Sequence, residues 1–397
     1  MIEIFQLIAI FFQVEMASPC PAKKGEAFDP QCYVETLSSE KYFGRGYLKN
    51  GRNKAAHFIK NEFKKAGLQT VDGYDFYQEF NHTVNVFKKA PQLLCDEKAL
   101  VLGDDFIVNP SSGSGKFDTE NIEFWSSDRI AALNKSKKFN QELFQQTALK
   151  KAIVIEKPKL TASVSDFAFP APIIETTANC PSNNWHLEVK GELKKLTSKN
   201  VIAKVEGTSN SDSTLYITAH YDHLGGMGKK VFFPGANDNA AGTTMLIDLA
   251  YYFAKNPLKY DIIFIAFAGE EAGLIGSKYN SEHPFSDLDK IKFLFNLDLV
   301  GTGEEGATVV NATEYTDQFK LLTNINNEQH YLPKISARGS AANSDHFWYH
   351  QKGVPSFFLY TQGGPKAYHD VNDIAKNLPL SHYQAVKQLL IDFYKSL

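Results

Sequence analysis

Five short stretches carry the side chains with the most chemical promise. "AHYDHLG" supplies His220, Asp222 and His223, and "GANDNAAG" supplies Asp238. "FAGEEAGLIGS" sets Glu270 beside Glu271, "NLDLVG" holds Asp298, and "YHDVND" holds His369, Asp370 and Asp373. Glu270 and Glu271 follow the apolar run "DIIFIAFAG". Two like charges at the mouth of a buried strand repel, and their burial costs several kcal/mol each unless a cation or hydrogen bonds compensate. A lone His or Asp at a strand end is usually a cap or a loop residue; five such stretches on one rim are harder to dismiss. Two imidazoles and three carboxylates suit zinc. Two cations roughly 3.5–4 Å apart need a shared carboxylate. Asp238 between them gives each ion three protein ligands and leaves room for a bridging water, whose pKa the ions would bring toward about 7. One carboxylate must stay off the ions to take the proton, a role for one member of the Glu270–Glu271 pair, and such general-base help contributes about 10²–10⁴-fold.

These residues need a scaffold that delivers them to one edge. From Asn200 onward the chain alternates strand-length apolar runs ("NVIAKVEG", "STLYITAH", "DIIFIAFAG", "KFLFNLDLVG", "VPSFFLYT") with helical stretches such as "AAGTTMLIDLAYYFAK". That alternation predicts an α/β fold, in which sites form at the carboxyl ends of the strands. Upstream, Ala55, Ala56, Phe58, Ile59, Phe63 and Ala66 recur at helical spacing and Gly67 stops the helix. Residues 85–195 differ in texture: "KALVLG", "AIVIE" and "APIIET" are short apolar runs between loops, which suggests a small β-rich insert. The last segment reads as a helix with Ser381 as its N-cap. The organisation expected is therefore 30–84 with 196–397 as one catalytic domain, and 85–195 inserted into it.

The bulk properties narrow the class. The chain has 397 residues, 43% hydrophobic and 22% charged, with a net charge of -3. Nothing there supports nucleic-acid binding or a polybasic membrane patch. Residues 1–19 contain an apolar stretch too short to span a bilayer, so no transmembrane span is expected. It lacks a basic start and carries Glu3, and we read it as an imperfect export signal or else a disordered N-terminus. With that reading goes a secreted, periplasmic or cell-envelope location. Cys20, Cys32, Cys95 and Cys180 allow two disulfides in three connectivities, and the lack of any CxxC pair argues against a cysteine zinc site. Sequons stand at Asn81, Asn134 and Asn311.

The five stretches together resemble the co-catalytic zinc aminopeptidases of metallopeptidase family 28. The likeness covers 200–397 strongly and 44–68 moderately. It implies a mixed, mostly parallel sheet sandwiched by helices, the zinc exopeptidase fold, and the insert sits where many relatives carry a protease-associated domain. It further implies two zinc ions per chain: His220 and Asp298 on one, Glu271 and His369 on the other, Asp238 bridging. Glu270 would be the general base, and Asp222 would buttress His220. Tyr368 matches a tyrosine that in some relatives donates to the developing oxyanion. The Asp238–Asn239 peptide would be cis. The activity implied is removal of N-terminal residues from peptides with a free N-terminus. Alternatives within the fold are a dipeptidase or carboxypeptidase, and a single-zinc glutaminyl-peptide cyclase. Against the cyclase stand the short "GEEAGLIGSKY" connection and Tyr368, where such cyclases carry a tryptophan. A non-enzymatic relative would have lost ligands that are intact here. The ligand types also suit cobalt or manganese, and the oligomeric state and the preferred side chain are left open. Of the remaining residues, His223 fits a loop residue better than a ligand. Ser344, Asp345 and His346 match a segment near the substrate pocket, in contact with substrate or packing the helix that follows. Arg338 could meet a substrate carboxylate but reads more simply as a solvated loop arginine, and Phe347 and Trp348 read as core.

Overall fold

The computed structural model describes residues 20, 28–71, 75–181 and 184–397, and the segment read as an export signal lies outside them. Two helices come first, α1 (Pro30–Leu37) and α2 (Gly51–Ala66). The helical spacing of Ala55, Ala56, Phe58, Ile59 and Phe63 places all five in the core. Gly67, at φ 86, then ends α2: its N–H donates to Lys64 O and the next N–H, of Leu68, to Phe63 O.

One sheet of eight strands organises the rest: β1 (Tyr77–Val86), β2 (Glu192–Val205), β3 (Thr214–His220), β4 (Asp261–Phe267), β5 (Ile291–Leu297), β6 (Gly306–Val310), β7 (Ile335–Ala337) and β8 (Ser356–Gln362). Their spatial order is β1-β2-β4-β3-β5-β8-β6-β7. The central four, β4, β3, β5 and β8, run parallel; β1 with β2, β2 with β4 and β8 with β6 run antiparallel. Parallel central strands put four carboxyl ends on one edge. Both faces are covered, which is why these strands read as continuous apolar runs. Leu215, Ile217, Phe264, Phe295 and Phe357 pack under α1, α2, α3 (Gly242–Lys255) and α7 (Tyr383–Lys395). On the opposite face Tyr216, Ile263, Ile265 and Leu294 meet Tyr349 of α6 (His346–Gln351), which packs beside α4 (Ile275–Glu282). Helix α5 (Thr316–Gln329) lies between β6 and β7 in sequence. The final helix departs from expectation. It begins at Tyr383 with no side-chain cap, because the Ser381 hydroxyl donates to the Glu304 carboxylate at 2.6 Å instead.

The chain leaves the sheet at Val86 and returns at Glu192, two residues paired in the β1–β2 ribbon. Between them lie two four-stranded sheets, one of 92–95, 98–99, 115–118 and 185–189, the other of 106–108, 122–125, 152–156 and 173–176. Two helices that the apolar runs did not announce, Ser127–Lys135 and Phe139–Ala148, accompany the second sheet. The first of them buries no residue fully, so it left no strong periodicity to read. Disulfides join Cys20 to Cys32 and Cys95 to Cys180. The insert's core is continuous with the main domain: Leu93, Val154, Ile174 and Trp185 share a cluster with Leu224, Met227 and Phe233, which follow β3. The Asn311 sequon is closed, since its side chain is buried and donates to Ser356 O at 3.1 Å.

Candidate metal centre

His220 is the last residue of β3, Asp298 follows β5, Glu270 and Glu271 follow β4, and His369 lies in the loop after β8. Asp238 precedes α3, and the Asp238–Asn239 peptide is cis. The strand ends bring these side chains into two groups that share Asp238. Nε2 of His220 lies 3.4 Å from Asp238 Oδ1 and 3.3 Å from Asp298 Oδ1. Nε2 of His369 lies 2.9 Å from Asp238 Oδ2 and 3.2 Å from Glu271 Oε2.

The far sides of both rings explain why these approaches need a cation. His220 Nδ1 is 3.2 Å from the main-chain oxygen of Asp222, and His369 Nδ1 is 2.9 Å from that of Ala162. Each Nδ1 therefore carries the proton that it donates, and in the neutral ring the Nε2 lone pair faces carboxylate oxygens. Only a proton or a metal ion reconciles acceptors so arranged. Asp298 Oδ1 is buried without a hydrogen-bond partner among the described residues, as a ligand atom awaiting an ion would be. The donor set, imidazole and carboxylate, fits zinc.

The charges tell the same story. Burial opposes protonation of His369, yet Glu271 and Asp238 push it up to about 11. His220 is likewise buried, and Asp298, Glu270 and Asp238 raise it well above the usual histidine range. The two adjacent glutamates are driven apart. Burial lifts Glu270 well above the carboxylate range, with His220 opposing and Glu271, Asp345 and Asp298 adding. Glu271, equally desolvated and beside Asp238, is nevertheless drawn down to about 2 by His223 and His369. Neighbouring acids with opposite shifts are a common basis for divided roles.

Buried supports surround the pair of groups. Asp298 Oδ2 accepts from the Ser344 hydroxyl at 3.0 Å; Ser344 Oγ in turn accepts from Asn296 Nδ2 at 2.9 Å, and Asn296 Oδ1 accepts from the Thr218 hydroxyl at 2.7 Å. Asp373 accepts the main-chain N–H groups of Asn237 and Asp238 at 2.9 and 3.0 Å. Arg45, fully buried, donates to five carbonyl oxygens, those of Leu37, Tyr221, Pro234, Gly235 and Asp238. It pins the segment that carries Asp238 and brings a positive charge to an acidic centre.

Several expectations change. His223 does lie in the irregular loop after β3, but it is completely buried there, and its Nδ1 donates to Glu271 Oε1 at 2.6 Å. It was legible only as a second imidazole on the turn that carries His220. The Asp222 side chain lies 3.9 Å from His220 Nδ1 and accepts the Glu270 N–H at 3.2 Å, so the bond to His220 comes from the main chain of Asp222. Ser344, Asp345 and His346 are fully buried, which leaves them packing and orienting roles rather than substrate contact. Phe347 and Trp348 are only half-buried, and Lys278 lies over the Trp348 ring. Arg338 lines the cleft, with Nη1 3.4 Å from the Tyr360 hydroxyl. That cleft, of about 330 Å³, is lined by all five ligand-type residues and by Glu270, Leu299, Asn343, Phe358 and Tyr368. Tyr368 stacks on the His369 ring at 4.0 Å.

Residues 200–394 match the model of Peptidase family M28. That stretch of the chain belongs to peptidase family M28. An aminopeptidase of Bacillus subtilis (YwaD) is 32% identical over 166 residues, 40% of this chain and 35% of that protein. A probable leucine aminopeptidase of Trichophyton verrucosum is 30% identical over 237 residues, 52% of this chain and 59% of that protein. The chain thus spans between about a third and three-fifths of these curated relatives. Over the whole fold it is similar to the structure of BSAP, a zinc aminopeptidase from Bacillus subtilis (TM-score 0.69, 19% identity, 93% of this chain and 95% of that one). It is also similar to an aminopeptidase from Aneurinibacillus sp. strain AM-1 (TM-score 0.64, 19% identity, 92% and 93%).

Proposed function

We propose that the chain is a metal-dependent exopeptidase that releases N-terminal residues from peptides, with two zinc ions seated in the two groups. The observation that carries this reading is the sharing of Asp238 between them, in a cleft whose remaining acid, Glu270, belongs to neither. His220 and Asp298 would hold one ion, Glu271 and His369 the other, and Asp238 both. Bound there, zinc would supply Lewis acidity to a peptide carbonyl and to a water. Glu270 takes the proton from the attacking water and passes it to the leaving amine; Tyr368 at the rim donates to the developing oxyanion. The names of the relatives, aminopeptidase and zinc aminopeptidase among them, support both the metal and the direction of attack. Two disulfides support an oxidising location, secreted, periplasmic or at the cell envelope.

The deciding assay compares a leucyl-anilide bearing a free amine with its N-acetylated twin, with and without a chelator. Chelator-sensitive cleavage of the free-amine compound alone is expected; cleavage of neither by zinc-loaded protein would sink the reading. Arg338, beside Tyr360 in the cleft wall, favours one second reading: a dipeptidase whose short substrates offer a carboxylate to the guanidinium. Cleavage of dipeptides but not of anilides would decide for it.

A further inference from the structure

The insert reaches back into the centre it flanks, and we infer that its 159–162 segment is the positioning element of His369, completing the second cation seat. This rests on the metal reading above. His369 lies in an irregular loop rather than on a strand, at a φ of 54, a main-chain conformation uncommon for a residue other than glycine, so no strand ladder holds it in place. The support comes from the insert at two points. His369 Nδ1–H donates to Ala162 O at 2.9 Å, and the Ala162 N–H donates back to His369 O at 2.8 Å. The first bond fixes the tautomer that leaves Nε2 free to ligate; the second fixes the main chain that carries the ring.

Lys159 tightens the same loop. Its Nζ lies 3.2 Å from Lys366 O, 3.5 Å from Tyr368 O and 3.1 Å from Asp370 Oδ2, so one ammonium ties residues on both sides of His369. The segment is itself anchored, because Leu160 and Ala162 are buried in the cluster that holds Val154, Ile174 and Trp185. The contrast with His220 is the point. That ring finds its Nδ1 acceptor two residues away in its own turn, whereas the acceptor for His369 lies 207 residues earlier, in the inserted unit. The insert's seating and the second seat's affinity are therefore one variable.

The test is a zinc titration of the full chain against a chromogenic chelator that resolves two affinities, alongside thermal unfolding of the metal-free protein. Ala162→Pro removes the N–H donor, and Lys159→Met removes the ammonium. Outer-sphere partners of metal-ligating histidines are worth about 10–100-fold in affinity. Each variant should weaken one zinc by about 10-fold or more and leave the other unchanged, with the metal-free melting temperature near that of the parent. Lys159→Arg should restore most of the loss. If Ala162→Pro fails to fold, Lys159→Met and its arginine counterpart decide alone. Unchanged affinities, or an equal fall in both, overturn the inference. A parent chain that binds two zinc ions while the variants match it overturns this inference only; a parent that takes up no zinc overturns the metal reading as well.

Discussion

The two halves of the centre are built from different materials. The His220–Asp298 half sits on the ends of β3 and β5, and its supports, Ser344, Asn296 and Thr218, form a chain of buried hydrogen bonds inside the main domain. The His369–Glu271 half rests on a loop, a buried histidine and the insert. Strand ends in a parallel sheet are held by ladder bonds on both sides and by packing above and below, so the first half inherits its geometry from the fold. The second half has to be assembled from parts distant in sequence. A centre made this way gives one seat whose affinity follows global stability and another whose affinity follows local contacts.

The largest effect should come from the two adjacent glutamates. Glu270→Gln should keep both metals and lose about 10²–10⁴-fold in kcat, the usual range for a general base. Glu271→Gln should weaken the second metal and lose activity with it. Metal content by atomic absorption, set beside kcat, separates the two. Equal metal loss in both variants would mean that the roles of the adjacent acids are misassigned.

Next come the supports. Ser344→Ala removes the donor to Asp298, and His223→Phe removes the donor to Glu271. Each should cost about 10–100-fold in the affinity of its own zinc while sparing the other. The same titration, run on both variants and their double, should give additive losses, because the two supports share no partner. Strong coupling between them would mean that the halves are not separable.

This division also marks what the sequence could show. The central strands and their carboxyl-end acids were legible because a strand buried on both faces is a continuous apolar run, and the residue after it is fixed in place by the sheet. Helix α2 was legible from its period and from Gly67. The partners that complete the centre were not. His223 looked like any loop imidazole until Glu271, 48 residues on, came within 2.6 Å. Ala162 contributes only main-chain atoms, which no side-chain pattern can announce. Arg45 acts through carbonyl oxygens drawn from three separate segments. Ser381 was misread as a cap because Glu304, a better acceptor for its hydroxyl, is remote in sequence. Contacts that depend on long-range closure leave no local trace.

The smallest predicted effect concerns the ribbon that carries the insert. His82 on β1 shares a 2.8 Å hydrogen bond with Ser198 on β2, and its Nδ1 is buried without a partner among the described residues. Burial, helped by the charge of Arg52, lowers its pKa from 6.5 to about 4. The unfolded chain therefore takes up this proton first as the pH falls. Stability that is intact above pH 6.5 is lost progressively toward pH 4, and below that the loss is complete. At pH 5 the contribution is at most about 2 kcal/mol, and less to the extent that water reaches the ring. His82→Gln, which keeps a donor for Ser198 but cannot titrate, should lose less melting temperature than the parent between pH 6.5 and 5. Both proteins carry the same metal-site histidines, so their titration cancels in the difference. Parallel curves for the two would remove His82 as a source of acid sensitivity. If the curves diverge as expected, the second zinc should also weaken sooner in the parent than in the variant, since the ribbon that loosens is the one that holds the insert against His369.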